Sequence, residues 1–134
     1  CLLGFKILKN NFPIEAELKS GEKIVIKTFQ GMYFKLFIKK YNNVNYDFDN
    51  DLVQIINSEE SNKNIKFFGG VNNGDLINSF LEGDYSDISV KNKTIIDIGA
   101  NIGDTSIYFI CSGAKKVIGI EPFPKNFELA KKNI

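Results

Sequence analysis

The sequence predicts an α/β protein: a small β-rich region with a short helix over residues 1–88, then the opening of a parallel sheet over residues 89–134. Three observations carry this. Residues 14 to 38 contain short runs that alternate apolar and polar side chains between turn signals, the pattern of half-buried strands. Thr94-Ile95-Ile96-Asp97-Ile98 is instead a near-continuous β-branched run, as expected of a strand buried on both faces. The chain then reads helix, strand and helix, an order that implies a right-handed parallel crossover.

In the front region, Ile14, Ala16 and Leu18 alternate with Glu15, Glu17 and Lys19, and Ser20-Gly21 marks a turn into Ile24-Val25-Ile26. Gln30-Gly31 reads as the next turn and Met32 to Ile38 as a third strand, giving a hairpin extended to an antiparallel meander. Residues 41 to 50 are rich in Asn, Asp and Tyr and read as loop with room for a short extended piece; Asp51 to Ser58 fits helix or strand. Asn64 to Phe68 reads as a strand ending at Gly69-Gly70. Leu76, Ile77, Phe80 and Leu81 have helical spacing behind Asn73-Gly74-Asp75, with Asp75 near the cap and Gly83 at the end. Asp84 to Asn92 is a polar connection.

In the back region, a helix is expected from about Asp104 to Ser112, with Gly113 at its C′ position. Lys116 to Ile120 is the second buried strand, and a helix begins near Pro124, which suits a first helical turn.

Composition removes several function classes. Seventeen basic residues face sixteen acidic ones, for a net charge of +1, so the chain lacks the footprint for nucleic acid or for an anionic membrane surface. It has no histidine, which excludes a Ser-His-Asp triad and a His-ligated metal. Its two cysteines, Cys1 and Cys111, define neither a metal site nor a disulfide framework. Cys111 reads as a small core residue, and a reducing, cytoplasmic home is expected. No apolar run approaches the ~20 residues of a membrane span, and Cys1-Leu2-Leu3-Gly4 is too short for a signal-peptide core. The first residue is not Met, so the amino terminus is expected to be processed or missing.

The chemistry concentrates at Asp97-Ile98-Gly99-Ala100-Asn101-Ile102-Gly103-Asp104-Thr105, the expected strand-to-helix turn. Ligands of open parallel sheets bind at the carboxyl ends of strands. Gly99 permits a sharp turn, and Gly103 permits close approach of the helix to sheet or ligand. Glu121 ends the next strand, about 20 residues on, where an acid can accept both hydroxyls of an adenosine ribose.

Two ligand classes use such a layout, dinucleotides and S-adenosylmethionine. The dinucleotide pattern wants glycine at i, i+2 and i+5, but those positions hold Gly99, Asn101 and Asp104. Asn101 would crowd a pyrophosphate, and Asp104 puts a carboxylate at the helix N-terminus, a natural cap but a poor phosphate site. S-adenosylmethionine has no phosphate and a net charge of about +1 with its amine protonated. Asp97, Asp104 and Glu121 would surround such a cation with favourable charge.

The runs Thr94 to Phe109 and Gly113 to Phe127, with their Asp-x-Gly-Ala-Asn-x-Gly-Asp and Glu-Pro-x-Pro patterns, closely resemble the FkbM-type methyltransferase family. The resemblance covers about the last third of the chain and extends weakly back to Phe80 and Tyr85. It implies the start of a Rossmann-like parallel sheet and S-adenosylmethionine as cofactor. Asp97, Gly99, Ala100, Asn101 and Gly103 would line the methionine end and ribose; Glu121 would bind the ribose diol, with Pro122 beside the adenine. Asp104 and Thr105 would cap the helix and reach the methionine group. The implied reaction is methyl transfer to a hydroxyl oxygen, in line with the sulfonium leaving group, with positioning supplying much of the catalysis.

Each residue also has a structural reading. Asp97 can tie down its own loop, Asp104 is more a helix cap than a ligand, and Thr105 divides between the two. Tyr85 reads as a half-buried aromatic, Phe29, Phe34 and Phe37 as core, and Lys115-Lys116 and Lys131-Lys132 as solvated charge. The family's later strands, which hold the adenine-side contacts, the catalytic loop and most of the acceptor pocket, have no counterpart before Ile134. The sequence is therefore expected to be a fragment of a longer protein, and no general base can be named. The acceptor class stays open among small-molecule, glycan, lipid and peptide hydroxyls, and oligomeric state is unreadable. The competing readings are a non-catalytic binding module that keeps a truncated Rossmann relic, and a nicotinamide-dependent oxidoreductase.

Overall fold

A computed structural model describes residues 12–17, 21, 23–47, 49–56, 64–71 and 75–134, apart from the side chains of Leu36 and Asp75. The expected positions Cys1, Leu18, Lys19, Ser20, Ser58, Asn73 and Gly74 lie outside this set, as does the cap assigned to the Asp75 side chain. The described residues form a mixed α/β arrangement of two antiparallel sheets and one parallel pair.

Strands β1 (Ile14–Glu17) and β2 (Lys23–Ile26) form the expected hairpin, with Ile14 opposite Ile26. The expected third strand is instead helix α1 (Phe29–Phe37), continued by a 3-10 turn, Ile38–Lys40. Thr28 explains the difference. Its backbone is extended, and its hydroxyl accepts from the Gly31 N–H at 3.1 Å, an N-cap that commits the chain to a helix. Gly31, Phe34 and Ile38 are then buried together at helical spacing. The aromatic run reads as strand by propensity, but packing of one helical face overrides that preference.

Strands β3 (Val44–Asp47), β4 (Leu52–Ile55) and β5 (Ile65–Phe68) form the second sheet, in that order and antiparallel throughout. The short extended piece allowed within 41–50 is β3, and the undecided segment after Asp51 is a strand. The Asp47 side chain stops β3 by accepting from the Asp49 and Asn50 N–H groups at 2.9 and 3.2 Å, as turn aspartates do. Helix α2 starts at Asp75–Ile77 and widens into a π-helical turn, Asn78–Glu82. Gly83 ends it in the left-handed region, as the sequence indicated.

Strands β6 (Thr94–Ile98) and β7 (Lys116–Ile120) pair in parallel, Ile96 opposite Ile118 and Ile98 opposite Ile120. Helix α3 (Asp104–Cys111) connects them, and helix α4 (Pro124–Asn133) follows β7. All four elements lie where the sequence placed them, with Gly113 in the left-handed region past α3, but the two strands are not buried on both faces as expected: Ile96, Ile98, Ile118 and Ile120 share an exposed face, because the described residues cover the pair from one side. Cys111 is half-buried on α3 rather than in the core.

One cluster of buried side chains runs from the front region to the back. Phe67 of β5 meets Phe80 of the π turn at 5.5 Å between ring centres, Phe80 meets Tyr108 of α3 edge-on at 5.4 Å, and Tyr85 packs against both Tyr108 and Phe109. Aromatic pairs in this geometry add to the stabilisation from burial alone. No helix among the described residues is long and apolar enough to cross a membrane.

Candidate functional site

The turn between β6 and α3 sits at the carboxyl ends of both parallel strands. The Gly99 and Ala100 N–H groups donate to the Ile120 carbonyl at 2.8 and 3.0 Å, closing the turn against the end of β7. Gly99 has φ +81, and a Cβ built on it would meet nothing within 4 Å, so the turn faces open space there. Gly103 has φ +85, and a Cβ on it would come within 3.4 Å of the Ala130 Cβ of α4. A side chain would be strained at both positions, and at Gly103 it would also touch the neighbouring helix.

Asn101 lies between them with φ +47. Asparagine tolerates this left-handed conformation better than most residues, so its presence has a backbone reason independent of any ligand. Its side chain is 8% exposed, and its Oδ1 finds no hydrogen-bond partner among the described residues. A buried carbonyl oxygen in this state costs free energy until a donor reaches it.

Glu121 is half-buried at the end of β7, and its carboxylate is bound on both oxygens. Oε2 accepts from the Asn101 N–H at 2.7 Å and Oε1 from the Phe123 N–H at 2.8 Å. The acid is thereby fixed across the turn from Gly99. Each carboxylate oxygen offers two acceptor sites, so two remain for other donors.

Asp97, half-buried on the face of β6 that looks toward α3, accepts from the Ser106 hydroxyl at 2.6 Å. The bond ties β6 to helix α3 rather than to the loop between them. Asp104 is 2% exposed and is the first helical residue of α3. The N-cap is Gly103, without a side-chain cap bond, which corrects the expectation that Asp104 caps the helix. Thr105 stands one residue further in and is half-buried, so it does not cap either; Ala100 is buried and Pro122 exposed. The three acids Asp97, Asp104 and Glu121 do converge on one turn, whereas Thr105 and Pro122 flank it.

Three supporting residues escaped sequence reasoning. Ser106 orients Asp97, Ala130 abuts Gly103, and Asn133 donates to the Ile102 carbonyl at 2.9 Å. The i, i+3 spacing to Phe109 could have placed Ser106 on a buried face; nothing local marks Asn133.

Elsewhere, Phe29, Tyr33, Phe34, Phe37, Ile77 and Asn78 border an apolar cleft of about 360 Å³. Of the three phenylalanines expected in the core, only Phe34 is buried; Phe37 is half-buried and Phe29 exposed. No group of three His, Cys, Asp or Glu side chains that could hold a metal ion occurs among the described residues.

No family model matches the chain. A similar protein is "Uncharacterized protein 158B" of Sulfolobus islandicus rod-shaped virus 1, 42% identical over 50 residues. That stretch takes in 37% of this chain and 32% of the viral protein, so the match spans about a third of the relative's length. No solved structure matches.

Proposed function

We propose that the chain carries the S-adenosylmethionine-binding part of a Rossmann-like, FkbM-type methyltransferase that methylates a hydroxyl acceptor. The observation that supports this most is Glu121. Its carboxylate is pinned by two backbone donors at the carboxyl ends of a parallel pair. The two acceptor sites left over match the two hydroxyls of a ribose.

The rest of the turn fits the same cofactor. The open side of Gly99 leaves room for a ligand against the backbone, and Asn101 Oδ1 offers a buried acceptor to a donor such as an ammonium. Asp97, Asp104 and Glu121 favour a ligand of net charge about +1. The buried carboxylate of Asp104 at the start of α3 opposes a pyrophosphate there, which weighs against a dinucleotide. When bound, the sulfonium would supply an activated methyl group. The residues of this chain would hold the ribose (Glu121), shape the turn (Gly99, Gly103) and orient the methionine end (Asp97, Asn101).

Calorimetric titration with S-adenosylmethionine tests this. Saturable binding is expected, weakened at least tenfold by Glu121→Ala, in line with the loss of charge-assisted hydrogen bonds at ~1.5–3 kcal/mol each. Unchanged affinity in that variant refutes the ribose assignment. A second reading, a non-catalytic binding module, draws on the aromatic cleft beside α1; a folded chain that binds no S-adenosylmethionine favours it.

A further inference from the structure

We propose that Asn133 is a positioning residue for the glycine turn and couples that turn to the front antiparallel sheet. The effect on cofactor affinity rests on the S-adenosylmethionine reading above; the coupling itself does not.

Asn133 is the last residue of α4, and its side-chain amide makes three bonds to two distant parts of the chain. Nδ2 donates to the Ile102 carbonyl at 2.9 Å and to the Phe68 carbonyl at 3.2 Å. Oδ1 accepts from the Phe68 N–H at 2.8 Å. Phe68 ends β5, and Ile102 lies inside the turn between Asn101 and Gly103. Both donor hydrogens and the acceptor oxygen are thus engaged, with one hydrogen on the turn and the other groups on β5.

The neighbouring contacts make this amide a joint. One helical turn earlier, Ala130 abuts Gly103. One residue earlier, the Lys132 ammonium lies 3.4 Å from the centre of the Phe68 ring, a cation–π contact. The final turn of α4 therefore holds Ile102 and Gly103 on one side and Phe68 on the other. Asn101, whose N–H fixes Glu121, is the residue just before the pinned carbonyl. Release of Ile102 would let Asn101 move and unseat Glu121 with it.

Asparagine is the suitable residue because one planar amide supplies both donor and acceptor. Aspartate keeps the acceptor for the Phe68 N–H but loses both donors, so Asn133→Asp separates the two arms. Hydrogen exchange read by NMR on the full chain provides the test, with Asn133→Ala and Asn133→Asp beside the unmodified protein. Asn133→Ala is expected to speed exchange at the turn amides 99–103 and at Phe68 by about fivefold or more, the loss of roughly one hydrogen bond, while amides of β7 keep their protection. Asn133→Asp is expected to free the turn to a similar degree while leaving the Phe68 N–H more protected than in Asn133→Ala. S-adenosylmethionine affinity is expected to fall about three- to tenfold in both. Unchanged exchange at the turn overturns the proposal, as does a uniform rise that includes β7, which would make Asn133 a residue of general stability. Local loosening in a chain that never binds S-adenosylmethionine keeps the joint and refutes the cofactor reading instead.

Discussion

The two larger sheets bury themselves differently. The antiparallel sheet β3–β4–β5 is two-faced by sequence: Val53, Ile55 and Phe67 point into the core, while Asn45, Asp47 and Lys66 point out. The parallel pair is apolar on both faces. Ile95 and Val117 pack against the shared core, but Ile96, Ile98, Ile118 and Ile120 form an exposed quartet on the opposite face. Strand composition therefore reports the burial a strand is built for, and in the parallel pair the described residues provide cover on one side.

Five substitutions probe the two regions, beginning with the largest effect. Phe67, 0% exposed at the β5 end of the aromatic chain, should cost ~3–5 kcal/mol as Phe67→Ala in a urea melt, because an aromatic-sized cavity opens. The same change at two isoleucines sharpens the comparison. Ile55→Ala, at 0% exposure, should cost ~2–5 kcal/mol, whereas Ile98→Ala, at 82% exposure, should stay within ~0.5 kcal/mol. A large loss at Ile98 would mean that the outer face is covered after all.

Gly119→Ala should cost ~1–3 kcal/mol by overpacking, since its Cβ would come within 3.1 Å of both the Ala100 Cβ and the Ser106 Oγ. The push falls on the turn and on the partner of Asp97, so S-adenosylmethionine binding should weaken as well. A melt at the unmodified midpoint would show that the turn yields without cost.

A further, slight effect is electrostatic and lies in the front region. Hydrogen bonds from Lys40, at 2.7 Å, and from the Tyr41 hydroxyl hold the Glu82 carboxyl below its ordinary value. A lowered folded pKa stabilises the fold above the unfolded value, near 4.3, and the contribution is lost as pH falls through the folded value. Acid should thus loosen the junction between the π turn and the 3-10 turn after α1. Glu82→Gln should flatten that part of the pH-stability curve, and an unchanged curve would remove the junction from the account. Lys40 and Glu82 are solvent-exposed and Tyr41 is half-buried, so the change should be slight.

Much of this arrangement was legible in the sequence, unevenly. The back region was readable because its signals are local: β-branched runs, glycines that need positive φ, and a proline at a helix start. The turn's acids and glycines came with it. At α1 the signals competed. Met32 to Ile38 has strand propensity, and only the Thr28 cap and the 31, 34, 38 burial pattern reveal a helix. Asn133 was illegible because its three partners lie 31 and 65 residues away. Asp104 was seen as a helix-terminal acid, but with Gly103 taking the cap position its carboxylate lies buried inside the first turn.

The most direct test of the central claim is to titrate the same chain, side by side, with S-adenosylmethionine and with NADH. Saturable heat with S-adenosylmethionine and none with NADH is the predicted result, because the Glu121 carboxylate suits a ribose diol while Asp104 opposes a pyrophosphate. NADH binding, or a folded chain silent to both ligands, would contradict it.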